Sequence, residues 1–517
     1  MANKGLFASA VARLLAPAAD TLNRELSPAY AYGPEHKLAQ LAATGTLQDA
    51  FYAGAETQLA DVLDAAGAVD PLFAARAAVY ARTRGAMKDM PALLAAWLTV
   101  AEPDLAVRVF DRVIDNGRML RNFVQIMRSG AVGRKSLGTR PKRLVKNWLE
   151  RASMRALMQA ATGNDPSLAD IVRMVHPKPA DESRRAFYAW LIGKPYDVGA
   201  LPAEIAAFEA WKRDPSLPLP EVPFEWLTAF ELSAERWAEL AGRMGWQALR
   251  MNLNTLARKG AFGVEGTVDR VAERLADPAA LSKARVLPYQ LMVALGSVDD
   301  GVPLKVQAAL ETALEASLAN VPAFEGRVVV APDVSGSMAS PVTGYRKGAS
   351  SKVRCIDVAA LVAAAVLRRN RDAMLLPFEV GVVPLKLDPF ARVAVNAAKL
   401  ASIGGGGTNV SAPLALLNEE GAKVDLVVIV SDNESWVDAT RHGATATMNE
   451  WNRLKKRCPA AKLVCIDLQP YGTTQARNRE DILNVGGFSD AVFETIFRFA
   501  DGQGEPDWIA EVNETEV

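Results

Sequence analysis

The spacing of apolar residues changes once along the chain, at Arg327, and this change limits the fold more than any other feature. Before it, from about Leu38 to Leu318, the sequence is rich in Ala and Leu at helical spacing. Apolar residues three and four apart give each helix one inward face. Asp70-Pro71 opens one helix, with Leu72, Ala75 and Val79 on one face and Gly85 at its end. Pro103 starts the next and Asn116-Gly117 closes it, following the Pro-first, Gly-last asymmetry of helix ends. Arg118–Ser129 forms another, with Met119, Phe123 and Met127 inward. Many helices in series, without strand patterns, predict an α-solenoid. The expectation rests on helix succession, because no internal repeat period is visible. Prolines 195, 202, 215, 218, 220 and 223 mark a connector or an insertion between helices.

After Arg327 the period shortens. Val328-Val329-Val330-Ala331 is fully apolar, as in a buried parallel strand. Helical segments follow near 356–369, 391–402, 412–418, 447–457 and 491–499. They alternate with apolar runs at Met374–Phe378, Leu426–Val430 and Lys462–Asp467. Strands alternating with helices predict a doubly wound α/β domain with a parallel sheet. The boundary falls near Val321–Phe324. The expected division is a segment 1–24, a helical part 25–322, an α/β domain 323–500 and an acidic tail 501–517.

Composition excludes several classes. The 517 residues carry 59 Lys+Arg against 59 Asp+Glu, so neither a uniformly basic chain nor a disordered polyelectrolyte is expected. Cys355, Cys458 and Cys465 form neither a disulfide framework nor a four-thiolate zinc site, which suits a reducing cytoplasm. His36, His176 and His442 lack metal-ligand spacing. The apolar run Val358–Leu367 is too short to span a bilayer, and the stretch from Leu6, interrupted by Arg13, does not read as a signal peptide.

Three loops in the α/β part carry chemistry. The first strand runs into Asp333-Val334-Ser335-Gly336-Ser337, at the carboxyl end where doubly wound sheets bind ligands. Asp333, Ser335 and Ser337 offer three oxygens, the donors a hard divalent cation needs. Gly404–Gly407 allow close backbone approach, Thr408 adds a hydroxyl, and Asp432 adds a carboxylate after the strand at Leu426–Val430. The plainer alternative is a flexible glycine loop, with serines that cap the next helix. A phosphate cradle is excluded because no Gly-Lys-Ser/Thr follows, and the Rossmann glycine fingerprint is missing after the first strand. Together the three loops resemble the metal-ion-dependent adhesion site of von Willebrand factor A domains, over about residues 324–500. The resemblance implies Mg²⁺, or another divalent cation, held by Ser335, Ser337 and Thr408. Asp333 and Asp432 would act mainly through water. One coordination position would stay open for a partner's acidic group.

The helical part hides a basic stretch. Residues 108–155 hold thirteen Lys and Arg against three acids, a net +10. Arg118, Arg121 and Arg128 share a helix face with Gln125. Lys142 and Lys146 stand four apart, and Arg134, Lys135, Arg140 and Arg143 lie among them. Clustered like charge repels itself unless a partner neutralises it, and a nucleic-acid backbone is the natural polyanion. A solvated face, or pairing with acidic helices, is the alternative. His176 follows Asp170–Val175 and precedes Pro177, with Arg173 and Lys178 beside it. An imidazolium suits a helix C-terminus, while phosphate contact or base stacking is the functional reading.

The whole chain resembles the TROVE family, represented by the Ro autoantigen and its bacterial orthologues. The resemblance rests on Ala74–Lys88, on Lys142-Arg143 through Asn147-Trp148, on Asp170–Pro179, and on the order of a helical part before an A domain. It implies a ring of HEAT-like helical repeats closed by the A domain, formed within one chain and so expected to be monomeric. It also implies binding of misfolded noncoding RNAs through single-stranded ends, and of small Y-type RNAs, in RNA quality control. His176 matches the family histidine implicated in RNA binding, and Lys142 and Arg143 match basic residues of a ring helix. Gln159–Asp165 lacks the basic residues the family carries there, which removes the Y-type contact or moves it to Arg134–Arg155.

The expectation is therefore an RNA-binding scaffold and not an enzyme, with a ribonuclease or another protein presenting an acid to the metal as a further partner. One rival is a metal-dependent protein-binding scaffold without an RNA role. Another is a metal-dependent hydrolase, for which Glu434 and Asp432 are the nearby candidate bases.

Overall fold

The computed structural model describes residues 17–284, 286, 288–318, 321, 323–345, 353–438, 443–487, 490–502 and 508–517; His442 lies outside them. The chain divides into two compact units, one of residues 91–284 and 298–310 and one of residues up to Met90, 285–297 and 311–516.

The first unit is helical, with no strand among its described residues. Its helices include Pro103–Val113, Gly117–Ser129, Thr139–Arg151, Met154–Ala160, Leu168–Val175 and Glu182–Leu191. Their inward stripes meet as expected: Met119, Phe123 and Met127 are buried, and the Phe110 and Phe123 rings pack edge to face at 5.1 Å. Asn116-Gly117 works differently from the sequence expectation. Asn116 opens the following helix, its side-chain oxygen accepting from the backbone N–H of Arg118 and Met119. Gly117 lies flush on Ala160, where a Cβ would come within 2.6 Å of the Ala160 Cα. The proline-rich stretch is also more ordered than a connector. It contains the helix Ala203–Arg213, and Trp211 packs on Phe230 at 5.2 Å and Phe208 on Trp226 at 5.4 Å.

The second unit is built on a parallel sheet. Its strands are β3 (Val328–Pro332), β4 (Met374–Leu375), β5 (Leu426–Ser431), β6 (Lys462–Asp467) and β8 (Ile482–Gly486), in the order β4-β3-β5-β6-β8. β3, β5, β6 and β8 are buried along almost their whole length, which explains the apolar runs of the first three; β8 instead buries Asn484 at its centre. The run Met374–Phe378 makes only a two-residue strand, and Phe378 continues its parallel register as a single bridge to Asp333. The carboxyl ends of β3, β5 and β6 bring residues 333, 432 and 467 to one edge.

Residues before Met90 join this unit. β1 (Thr21–Leu22) and β2 (Pro28–Ala31) form a hairpin whose second strand pairs with β7 (Thr473–Thr474). The acidic C-terminal segment includes a helix, Trp508–Asn513, with Trp508, Ile509 and Val512 buried, and the Trp508 indole N–H donates to the Tyr80 hydroxyl at 3.1 Å. His36 is held between these pieces. Its ring stacks on Tyr32 at 4.1 Å and meets Trp508 at 5.4 Å, and burial pushes its pKa down to about 3.

The unfolded histidine titrates near 6.5, so the neutral, buried ring contributes fully above that pH and the contribution is lost as pH falls toward 3. We expect H36Q to be less stable than wild type at pH 7.5, with the gap shrinking by about 2 kcal/mol by pH 5. Urea unfolding at the two pH values checks this; a constant gap would contradict it.

Candidate functional site

The three metal-type loops come together at the sheet edge, and backbone contacts hold them there. The Gly405 N–H donates to the Val334 carbonyl and the Gly336 N–H to the Gly406 carbonyl, both at 3.2 Å, so the glycine run is sewn to the first loop. The Thr408 carbonyl accepts from the N–H groups of Trp436 and Val437 at 3.1 Å each, joining the second loop to the third. Gly406 adopts φ +71, and a Cβ there would meet the Glu379 carboxylate at 2.1 Å. Gly407 faces Trp436 and Val437 equally tightly. Gly406 and Gly407 are thus required by close contact among protein loops, a packing role the sequence pattern does not reveal, whereas Gly404 and Gly405 supply the positive φ angles of +152 and +131.

All five expected metal residues are buried: Asp333, Ser335, Ser337, Thr408 and Asp432 are at most 5% exposed. One Asp333 oxygen accepts from the Ser335 N–H at 2.8 Å and the other from the Ser431 hydroxyl at 2.6 Å. The Ser335 and Ser337 hydroxyl oxygens stand 3.3 Å apart. One Asp432 oxygen accepts from the Glu434 N–H at 3.3 Å, while the other has no protein partner. Burial, and then the neighbouring Asp432, raise the Asp333 pKa; burial raises that of Asp432.

The donor set of two carboxylates and three hydroxyls, with a buried carboxylate oxygen left over, fits a hard divalent cation. Among the described residues no cluster of three or more His, Cys, Asp and Glu side chains is placed to hold an ion, so any metal site here depends on the hydroxyls.

Two further acids belong to this edge. Glu434 is fully buried, with one oxygen unpartnered, and burial followed by the Asp432 charge pushes its pKa up to about 9. Asp467 closes β6, accepts from the Gln40 amide at 3.1 Å and is held well above the usual carboxylate range by burial. Sequence reasoning offered Glu434 only as a candidate base and left Asp467 at a strand end. An acid at the carboxyl end of a buried strand was the available signal.

The basic residues lie on the helical unit. Arg118, Arg134, Lys135, Lys142, Arg143, Lys146, His176 and Lys178 are exposed, and none of them makes an ion pair among the described residues. Arg140 pairs with Asp104 at 3.6 Å, and Arg173 pairs with Asp170 at 3.5 Å while donating to the Ile192 carbonyl at 3.2 Å. Arg121 differs: it is half-buried under Gly163 and donates to the Ala160 carbonyl at 2.6 Å, which commits it to packing. The helix Leu168–Val175 packs on both basic helices, Gly117–Ser129 and Thr139–Arg151, and brings Asp170 into the field of Arg128. His176 ends it in the left-handed region at φ +52, its N–H donating to the Val172 carbonyl, with the residue exposed.

Two family models match the sequence: the TROVE domain over residues 155–312 and the Ro60 vWA domain over residues 327–500. The chain carries a TROVE domain followed by a Ro60-type vWA domain. The Ro60-type vWA match contains all five metal-type residues, whereas the TROVE match begins after Lys146 and includes Arg173, His176 and Lys178. The RNA-binding protein RO60 of Deinococcus radiodurans is 27% identical over 510 residues, covering 92% of this chain and 94% of the relative. The RNA-binding protein RO60 of Caenorhabditis elegans is 24% identical over 294 residues, 54% of this chain but 42% of the relative. The crystal structure of the Deinococcus radiodurans RO (RSR) protein superposes with a TM-score of 0.60 at 25% identity, over 91% of this chain and all of that one. A helical TROVE part followed by a vWA domain with a parallel sheet is therefore the fold of this chain.

The loop junction generates one expectation. G406A forces a left-handed alanine against Glu379, and should destabilise the protein by about 1–3 kcal/mol. Urea unfolding measures this, and an unchanged midpoint would refute it.

Proposed function

We propose that this chain is an RNA-binding scaffold whose helical unit takes small noncoding RNAs of the Y type and misfolded noncoding RNAs with single-stranded ends, in RNA quality control. The observation that carries this is the set of exposed, unpaired cations on the helical unit: Arg118, Arg134, Lys135, Lys142, Arg143 and Lys146, with Lys178 beside His176. Unpaired like charge on packed helices is stabilised by a polyanion, and phosphates supply one. The relatives support the nucleic-acid reading, since two of them are named RNA-binding proteins. Arg173 and His176 add a fork of donors and a flat ring, which suit phosphate and an unstacked base. We assign the scaffold no catalytic step.

The same proposal places a divalent cation, Mg²⁺ by its donor set, at the vWA edge. Ser335, Ser337 and Thr408 would hold it, with Asp333 and Asp432 acting chiefly through water. When bound, the ion would supply positive charge to a cluster of buried acids.

Two outcomes follow. The triple variant K142E/R143E/K146E should bind a tailed structured RNA at least tenfold more weakly, with a salt slope lower by about two units at roughly 0.7 per lost contact. Filter binding between 50 and 200 mM salt, values chosen for the assay, would show it. Wild type should also prefer a structured RNA with a single-stranded 3′ tail over the same RNA without one. Equal affinity for the two would remove the single-strand preference, and an unaffected triple variant would remove the basic face.

A further inference from the structure

The five metal-type residues are far more buried than a docking site for another protein's acid requires, and residues before Met90 contact the loops that carry them. Two of this chain's own segments lie on the metal loops. The first is the turn of the β1–β2 hairpin, Asn23–Ser27. The Asn23 amide donates to the Ser435 carbonyl at 2.7 Å, and the Arg24 N–H donates to the Glu434 carboxylate at 2.6 Å. The turn is tied internally, since the Asn23 side-chain oxygen accepts from the N–H groups of Glu25 and Ser27 and Leu26 takes φ +58. Glu25 therefore stands at a fixed tip.

The second segment is Thr46–Ala53. The Tyr345 N–H donates to the Asp49 carbonyl at 2.7 Å, and Gly344 is pressed so closely on this segment that a Cβ would meet Gln48 at 2.5 Å. The Tyr52 N–H donates to the Tyr471 hydroxyl at 3.3 Å. Burial raises the Tyr52 phenol's pKa, with the Asp432 and Glu25 charges acting in the same direction and the Ser337 hydroxyl against it, so all three act on this ring. Glu25 also acts on Asp432 across the site. Tyr52 and Glu25, which act on Ser337 and Asp432, are thus both supplied by the N-terminal segments.

We propose that the metal site is capped in cis: Tyr52 and Glu25 occupy the face where a partner's acid would approach, and the Glu25 carboxylate completes the ion's acidic surroundings, directly or through water. This rests on the metal reading above. It also turns the site from a docking point for other proteins into a clamp. A bound ion would tie the hairpin turn to β3 and β5, and an external acid would reach it only after the turn had moved away. Arg24 and Asn23 tie the turn to the third loop through Glu434 and Ser435.

The test uses the full chain and Mn²⁺ as the probe, by calorimetry and by the electron paramagnetic resonance signal of free Mn²⁺. Wild type, E25Q, E25A and T408A are compared, with circular dichroism to establish folding. Glu25 is exposed at the turn, and E25Q keeps its size, so both Glu25 variants should fold. The expected result is wild-type binding at one site, at least fivefold weaker binding by E25Q and E25A, and loss of binding by T408A. Wild-type affinity in E25Q and E25A, with loss in T408A, would overturn the cap and leave the metal reading standing. No Mn²⁺ binding by wild type would overturn both.

Discussion

Four carboxylates, Asp333, Asp432, Glu434 and Asp467, are buried at one edge of a parallel sheet, and among the described residues no Lys or Arg side chain forms an ion pair with them. Buried charge is unfavourable unless it is paired, hydrogen-bonded or neutralised. Hydroxyls, amides and backbone N–H groups meet part of the need. They still leave oxygens of Asp432, Glu434 and Asp467 without partners. Much of the α/β unit follows from managing this edge. The glycine run lets three loops converge, the hairpin turn brings the Arg24 N–H to Glu434, and Gln40 reaches Asp467 from its helix. A divalent cation is the counter-charge that the remaining oxygens suit.

The helical unit presents the opposite arrangement. Its excess charge is positive, exposed and largely unpaired, where water screens it but a polyanion binds it better. Where pairing does occur, as in Arg140 with Asp104 and Arg173 with Asp170, both partners are exposed and the pairs are worth little. Such pairs can exchange a carboxylate for a phosphate at small expense. The zero net charge of the chain is thus a sum over separated parts, and it says nothing against a local RNA face.

Most of the architecture was legible because period and punctuation agreed. The buried runs at 328–331, 426–430 and 462–467 became β3, β5 and β6, and five helices after Arg327 lie within about two residues of their expected bounds. The metal-type loops were legible for the same reason, since strand ends place side chains. What stayed hidden depends on long-range contact. β1, β2 and β7 are two to four residues long, and β7 is a strand only because the distant β2 pairs with it. Nothing local announces that the Tyr52 N–H meets the Tyr471 hydroxyl, or that Trp508 packs under Tyr80. Asn116-Gly117 was misplaced because both its residues occur at either end of a helix, and the side-chain cap settles which. Arg121 looked like its neighbours on the helix face, but the missing side chain at Gly163 gave it a pocket to fill.

The proposed chemistry is divided, with RNA on the helical unit and a closed ionic site in the α/β unit. Ultraviolet crosslinking of a tailed RNA to the full chain, followed by mass spectrometry of the crosslinked peptides, tests that division most directly. Crosslinks are expected in peptides spanning Arg118–Lys146 and Arg173–Lys178, with residues 327–500 largely unmarked. Crosslinks concentrated around Asp333, Thr408 and Asp432, with the helical peptides clean, would contradict it.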